Sequence, residues 1–306
     1  MSSIAVIIVN HKTREHLRAC LATVQPEALG EVIVVDNASS DGSVEMVQAH
    51  YPRVMLHANK ANIGYGAAAN LAIARSTAKY ILLLNSDTLL QPGALQAMST
   101  YLDLHTQAAI VGPRLVNPDG RLQASCRQFP GTLKWLVDNG TLGLLTQRVP
   151  VLRDHNLRIW THDHVRVVPW VLGAALAIRR EAFEAVGGFD ESFFMYAEET
   201  DLCYRLNTAG WQIHFVPVAT VTHVGGASTR QYRTKMAIQV VKSDIKFYQR
   251  HYSGIRLAGL IAIAKSRVLL RFVRGSIRLP VTRDAGERAR IAEDVAVWRD
   301  MLSGNV

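Results

Sequence analysis

Four times in the first 104 residues a short run rich in Val, Ile and Leu gives way to a helix-like stretch, and this rhythm restricts the fold more than any other feature. The pairs are Ile4–Val9 with Arg14–Val24, Glu31–Val35 with Gly42–His50, Val54–His57 with Gly64–Ser76, and Tyr80–Leu84 with Gly93–Leu104. Strands and helices in this order build βαβ units around a parallel sheet. Runs such as VIIV and VIVV do not alternate polar with apolar positions, so both faces of those strands are buried. The expected class is α/β, with a Rossmann-like, mostly parallel sheet flanked by helices. Ligands of such sheets gather outside the carboxyl ends of the strands. Three polar runs fall there: Asn10-His11, Asp36 to Gly42, and Asn85-Ser86-Asp87.

From Ile110 the rhythm breaks. Pro113, Pro118, Gly120, Pro130 and Gly131 punctuate short segments, and residues 131–165 show no period, which predicts a loop-rich insertion. Regularity returns at Val165–Ile178, in a helix near 198–209, and in strand-like Gln212–Val216 and Thr220–His223. Beyond Thr229 the chain reads as helical, with Pro280 as a break. The expected organisation is an α/β domain over 1–228 and a basic helical C-terminal extension over 229–306.

At 306 residues and 49% hydrophobic content the chain can bury a sizeable core and is not disordered. Cys20, Cys126 and Cys203 are isolated, without CxxC spacing, which argues against a zinc knuckle, a redox motif or a disulfide framework and favours a reducing, cytosolic setting. The opening MSSIAVIIVN lacks a basic region and turns polar at once, so it reads as a first strand rather than a signal peptide.

The net charge of +9 is concentrated. Residues 229–290 hold 15 Lys and Arg against three acids, a surplus of +12 that leaves the remainder slightly acidic. Such a segment suits a solvated helical face or an anionic partner: a membrane surface, nucleic acid or a phosphorylated substrate. Within it Gly254–Val273 is apolar but interrupted by Lys265, Arg267 and Arg271, and a spanning helix needs roughly twenty mostly apolar residues. An amphipathic helix, lying on anionic lipid or packed on the protein, fits better.

Chemistry concentrates in a few motifs. Gly187 to Arg205, GGFDESFFMYAEETDLCYR, sets the five acids Asp190, Glu191, Glu198, Glu199 and Asp201 among Phe189, Phe193, Phe194, Met195 and Tyr196. Carboxylates held against apolar surface acquire shifted pKa values and act as general bases. Asp36, ending a buried strand, suits a base N–H or a ribose hydroxyl, while Asp41-Gly42 suits a helix cap. Gly64 and Gly66 open a helix and permit close backbone approach to a ligand, although no GxGxxG fingerprint is present. Asp87 suits a hard divalent cation, which beside a diphosphate keeps one or two protein carboxylates. His223, before Gly225-Gly226, suits either a metal site shared with Asp87 or a phosphate contact, with Arg230 and Arg233 nearby for diphosphate oxygens.

Taken in order, IIVNHK, VVDNASSDGS, NIGYGAAAN, LLLNSDT, WVLGAALAIRREAFEAVGGFDESFFMYAEETDLCYRL and HVGGAS resemble the family 2 inverting glycosyltransferases of GT-A fold, in their rhamnosyltransferase-like branch. The likeness spans about residues 3 to 250. It implies a nucleotide-binding half over 1–110 and an acceptor half over 111–228. It implies that Val9, Asp36 and Asn37 hold base and ribose, that Asn62, Gly64 and Asn70 line the donor pocket, and that Asn10, Asn85, Ser86 and Arg230 complete the donor contacts. Asp87 matches the last acid of the family's DxD-type motif and His223 the further ligand, for Mg²⁺ or Mn²⁺. Glu198-Glu199 aligns with the family's Glu-Asp motif, whose second member is the base, and Trp170, Gly173 and Asp201 fall on the acceptor side. Two positions depart from the pattern. Asn85 stands where many relatives carry Asp, and Glu199 replaces Asp, so that its carboxyl reaches one methylene further, with Glu198 and Asp201 as neighbouring candidates.

The resemblance further implies a nucleotide-sugar donor, dTDP-rhamnose foremost and UDP- or GDP-sugars otherwise. The acceptor would be a saccharide or a lipid-linked saccharide, met by a cytoplasmic protein peripheral to the inner membrane face. A sugar nucleotidyltransferase would need a glycine-rich N-terminal loop that IAVIIVNHKTREHL lacks. Nucleic acid is not expected as a partner, because Tyr232, Phe247 and Tyr248 read as a buried helical stripe. A non-catalytic sugar-nucleotide binder is the remaining alternative.

Overall fold

A computed structural model describes residues 4–27, 30–131, 157, 159–227 and 233–303. Arg230, Tyr232 and most of the 131–165 insertion therefore lie outside the described residues. Two compact units divide between residues 228 and 229.

The first unit opens with β1 (Ile4–Asn10), α1 (Arg14–Val24), β2 (Val32–Asp36), α2 (Ser43–His50), β3 (Met55–Ala58), α3 (Tyr65–Ile73) and β4 (Tyr80–Asn85). It continues with β5 (Thr88–Leu90), α4 (Ala94–Leu104), β6 (Ala108–Val116), β7 (Cys126–Arg127), β8 (Arg166–Val168), β9 (Trp170–Val171) and β10 (Ala175–Arg179). Helices α5 (Arg180–Ala185) and α6 (Glu198–Thr208) and the long strand β11 (Gln212–His223) complete it. The main sheet runs β3-β2-β1-β4-β10-β6-β11-β5, with β8 also on β11, while β7 and β9 form a separate ribbon. Strands β1 to β4 are mutually parallel, as the sequence rhythm requires. Strand β10 enters antiparallel between β4 and β6, and β11 runs parallel to β6.

The unbroken apolar runs are explained by burial on two faces. Val6, Ile8, Val34, Leu82 and Leu84 pack into one cluster with α1, α2 and α4; Ile7, Val35, Ile81 and Leu83 pack into the other with α3 and α6. Each such fully buried aliphatic side chain contributes about 1.5–3 kcal/mol relative to exposure. The two strand-like segments expected at 212–216 and 220–223 are one strand, whose pairing with β6 slips between Val216 and Thr220.

Two register facts position the polar residues. At the carboxyl edge, Asn10 pairs with Asp36 and Val9 with Asn85, so the ends of β1, β2 and β4 are level. On the other side, His223 pairs with Thr88, which brings the end of β11 beside Asp87.

The second unit contains α7 (Arg233–His251), α8 (Gly254–Val281) and α9 (Ala285–Leu302). Pro280 lies in the last turn of α8, where the helix stops one residue later. Asp284 caps α9 through the Glu287 N–H at 2.7 Å. Among the described residues no helix is long and apolar enough to cross a membrane.

Candidate active site

A buried polar chain ties the carboxyl ends of β1, β2 and β4. Asn10 donates to Asp36 Oδ1 at 2.8 Å and to the Ser39 hydroxyl at 3.2 Å, and its Oδ1 accepts from Thr13 Oγ1 at 2.6 Å. Thr13 Oγ1 lies 2.7 Å from Ser86 Oγ, and Asp36 Oδ2 accepts the Ser39 N–H at 2.8 Å. Asn10 and Ser86 thus hold Asp36 and the strand ends in place. Asp36 is itself buried, 1% exposed, with both of its oxygens hydrogen-bonded. Asn37 is a strut: its Nδ2 donates to the Gly64 carbonyl at 3.0 Å and its Oδ1 accepts from Asn59 at 2.8 Å. Asn62 accepts the Gly64 N–H at 3.0 Å and shapes the entry to α3.

Asp87 lies just beyond β4 and is 8% exposed. Its Oδ1 stands 3.4 Å from His223 Nε2, and its Oδ2 accepts the Ala227 N–H at 3.3 Å. Burial alone would raise the Asp87 carboxyl, but the adjacent His223 and the Ala227 N–H hold it below the usual carboxylate range. Gln123 Nε2 donates to Asn117 at 3.1 Å, so its Oε1 faces His223 Nδ1 at 2.7 Å and accepts from it. In the neutral ring that bond leaves the Nε2 lone pair facing the Asp87 carboxylate, an arrangement suited to a shared divalent cation. No third His, Cys, Asp or Glu joins them among the described residues, so two protein donors fit an ion that keeps its other positions for ligand oxygens and water.

The glutamate pair sits at the first turn of α6. Tyr196 and Ala197, neither of them glycine, both take left-handed backbone (φ 66° and 65°), a strained entry of the kind found at functional sites. Glu198 is buried and Glu199 partly exposed, and the Oε2 of each is buried without a hydrogen-bond partner among the described atoms. Burial, then the charge of Glu199, pushes the Glu198 carboxyl well up; burial also raises Glu199, against backbone N–H groups at Glu199, Gly173 and Thr200 that lower it. Two carboxyls this close do not share a second charge readily. Glu198, the more buried and the more strongly raised of the two, is the harder to ionise. A cleft of about 440 Å³ lined by Arg14, Ser39, Gly42 and His50 includes neither these acids nor Asp87.

Tyr65 joins the two acidic groups. Burial first, then the charges of Glu198, Glu199 and Asp87, raise its phenol, and its hydroxyl lies 3.4 Å from the Gly173 carbonyl. A side chain added at Gly173 would meet Glu199 Cγ at 3.5 Å, and the Asn85 N–H bonds the Ala174 carbonyl at 3.0 Å. One small region thus carries the end of β4, the Gly173 loop, Tyr65 and the glutamate pair.

A family model described as glycosyltransferase like family 2 matches residues 2–241. The chain belongs to this family. Among relatives, the N-acetylglucosaminyl-diphospho-decaprenol L-rhamnosyltransferase of Mycobacterium tuberculosis is 32% identical over 292 residues, covering 89% of this chain and 94% of its own. Rhamnosyltransferase WbbL of Escherichia coli K12 is 25% identical over 253 residues, covering 80% and 92%. Two solved structures share the fold at 13% identity. The mannosyltransferase PcManGT from Pyrobaculum calidifontis, in complex with GDP-Man and Mn²⁺, gives a TM-score of 0.56 over 99% of this chain and 87% of its own. GalNAc-T7 with UDP, GalNAc and Mn²⁺ gives 0.60 over 100% and 57%. The fold is GT-A, and the protein is a glycosyltransferase of the rhamnosyltransferase-like branch.

Four residues of this family 2 glycosyltransferase expected at the donor pocket or on the acceptor side make contacts within the chain itself. Asp201 is fully buried and its Oδ2 accepts from Arg205 at 2.7 Å, while Arg205 also donates to the Val186 and Gly188 carbonyls at 2.6 and 2.7 Å. Through Arg205 it braces the Gly187-Gly188 turn. Asn70 grips the acidic segment: its Oδ1 accepts the Phe189 N–H at 3.0 Å, and its Nδ2 donates to the Phe189 carbonyl at 2.9 Å and to Glu191 at 3.0 Å. Gly64 (φ 89°) makes its close approach to the chain itself, because a Cβ there would lie 2.5 Å from the Phe194 carbonyl oxygen. Trp170, expected on the acceptor side, is half-buried with its indole N–H on the Gln128 carbonyl at 3.0 Å. Thr13 and Gln123 carry site geometry that no motif announced, and Tyr65 sits unmarked within the NIGYGAAAN run; the i,i+4 spacing of Asp201 and Arg205 was a legible signal of their ion pair.

The glutamates also set a stability signature. A carboxyl raised in the fold stabilises below its unfolded pKa, and that contribution is lost as pH rises through the folded value. Glu198→Gln removes a carboxyl that releases its proton less readily in the fold than in the unfolded chain, and should raise the thermal midpoint at pH 8 by a few degrees, with little change at pH 5, in paired melts. An equal shift at both values would place Glu198 in a solvated setting.

Proposed function

We propose that this glycosyltransferase moves L-rhamnose from dTDP-rhamnose, with inversion, onto a saccharide or polyprenyl-diphosphate-linked saccharide in cell-envelope polysaccharide synthesis. The names of the two rhamnosyltransferase relatives support the transferred sugar, that of the Mycobacterium tuberculosis protein supports the lipid-linked acceptor, and the glutamate pair, each with a buried Oε2 lacking a hydrogen-bond partner among the described atoms, supports the reaction type. The site of action would be the cytoplasmic face of the membrane, where a lipid-linked acceptor is met.

Asp36 and the Asn10 scaffold would receive base and ribose at the strand ends, with Val9, Asn37, Asn62 and Gly64 shaping that wall. Asp87 and His223 would hold Mg²⁺ or Mn²⁺, which supplies positive charge where the diphosphate leaving group develops its negative charge. Glu199 takes the proton of the acceptor hydroxyl. The freed oxygen forms its bond to the anomeric carbon as the bond to the diphosphate oxygen breaks on the opposite face, so configuration inverts and no covalent enzyme intermediate arises. Gly173, bare of a side chain beside Glu199 Cγ, leaves room on the acceptor side.

Purified protein incubated with dTDP-, UDP- and GDP-sugars and Mn²⁺ should release nucleoside diphosphate from dTDP-rhamnose first, and EDTA should stop it. Turnover of a UDP- or GDP-sugar instead would change the donor. No donor bound or turned over, with EDTA inert, would sink the metal-dependent transferase.

A further inference from the structure

Helix α8 carries two apolar faces. Leu260, Ala264 and Val268, four residues apart, are 4%, 3% and 4% exposed and pack inward. Ile255, Leu269, Leu270, Val273, Ile277 and Val281 are 93%, 49%, 55%, 40%, 66% and 73% exposed. At 100° per residue, Ile255 through Ile277 fall within an arc of about 100° opposite the packed face, bridged by exposed Gly259, Ala262 and Ser266. The sequence left open whether this helix packs on the protein or lies on lipid. The described unit gives it one face for each.

Charge identifies the occupant. No Asp or Glu occurs between Asp244 and Asp284, and exposed Arg256, Lys265 and Arg274 border the stripe. We propose that the outer face of α8 docks in the plane of an anionic lipid bilayer, its aliphatic stripe at the headgroup boundary and its basic borders on lipid phosphates. The helix is about 42 Å long at 1.5 Å per residue and lies along the surface rather than through it. The stripe is aliphatic and offers no ring for base stacking, which sets it apart from a nucleic-acid platform. A transferase handling a lipid-linked acceptor gains a two-dimensional search from such docking. The inference deepens the proposed reaction, but its test uses no sugar nucleotide, so the two can fail separately.

The full chain is sedimented with phosphatidylcholine vesicles with and without added phosphatidylglycerol. It should bind only the anionic vesicles, weaken as salt is raised, and lose roughly tenfold or more in affinity on L270Q/V273Q/I277Q, which leaves net charge unchanged. A second variant, K265E/R274E, should bind weakly at low salt and lose most of the salt dependence. Absence of binding by the parent, or equal binding by both variants, would overturn the proposal. So would a parent dimer that the triple substitution converts to a monomer, which would give the face to a second copy.

Discussion

Glu199→Gln should lower sugar transfer by roughly 10²–10⁴-fold and leave nucleotide-sugar binding near the parent value. The amide keeps the shape of the side chain beside Gly173 but cannot accept the acceptor proton. The loss belongs in kcat, because the base acts as the hydroxyl attacks and holds no part of the donor. The base works deprotonated, so the parent rate should climb with pH through a carboxyl raised above the ordinary glutamate range by burial. Stopped assays across pH with a fixed donor, alongside calorimetric donor titration, separate the two quantities. Retained activity would move the role to Glu198, since Asp201 is closed off by Arg205.

Gly64→Ala should lower both stability and turnover. The backbone there (φ 89°, ψ 169°) lies in a region open essentially to glycine, and the added Cβ would meet the Phe194 carbonyl oxygen at 2.5 Å. Strain and clash together should cost about 2–4 kcal/mol, which for a domain of this size is roughly 10 °C in thermal midpoint. The displaced segment, Phe194 to Ala197, leads directly into Glu198, so kcat falls with it. If the missing side chain served a bound donor instead, the variant would keep its melting temperature and raise only the donor KM.

The parallel half of the sheet was readable because strands buried on both faces leave unbroken apolar runs, and the ligand edge because Asp36 and Asp87 stand at strand ends. Glu198 and Glu199 were readable as acids too crowded by Phe and Tyr to be a solvated face. What escaped depends on distance in three dimensions. Asn70 looks the same in sequence whether it faces a donor or holds Phe189, and Gly64 looks the same whether a phosphate or Phe194 lies against it. Gln123 orients His223 from 100 positions away, and nothing local marks it. The left-handed Tyr196 and Ala197 carry no glycine to betray the turn.

The grip of Asn70 on Phe189 joins residues 119 positions apart. Loops of that length close late in folding, after the local βα units have formed. During synthesis the N-terminal half can complete its strands and the Asp36 edge while Glu198 and Glu199 are still unmade. With Glu199 as the proposed base, a chain arrested before Phe189 docks on α3 would carry the Asp36 edge without the glutamate pair in place.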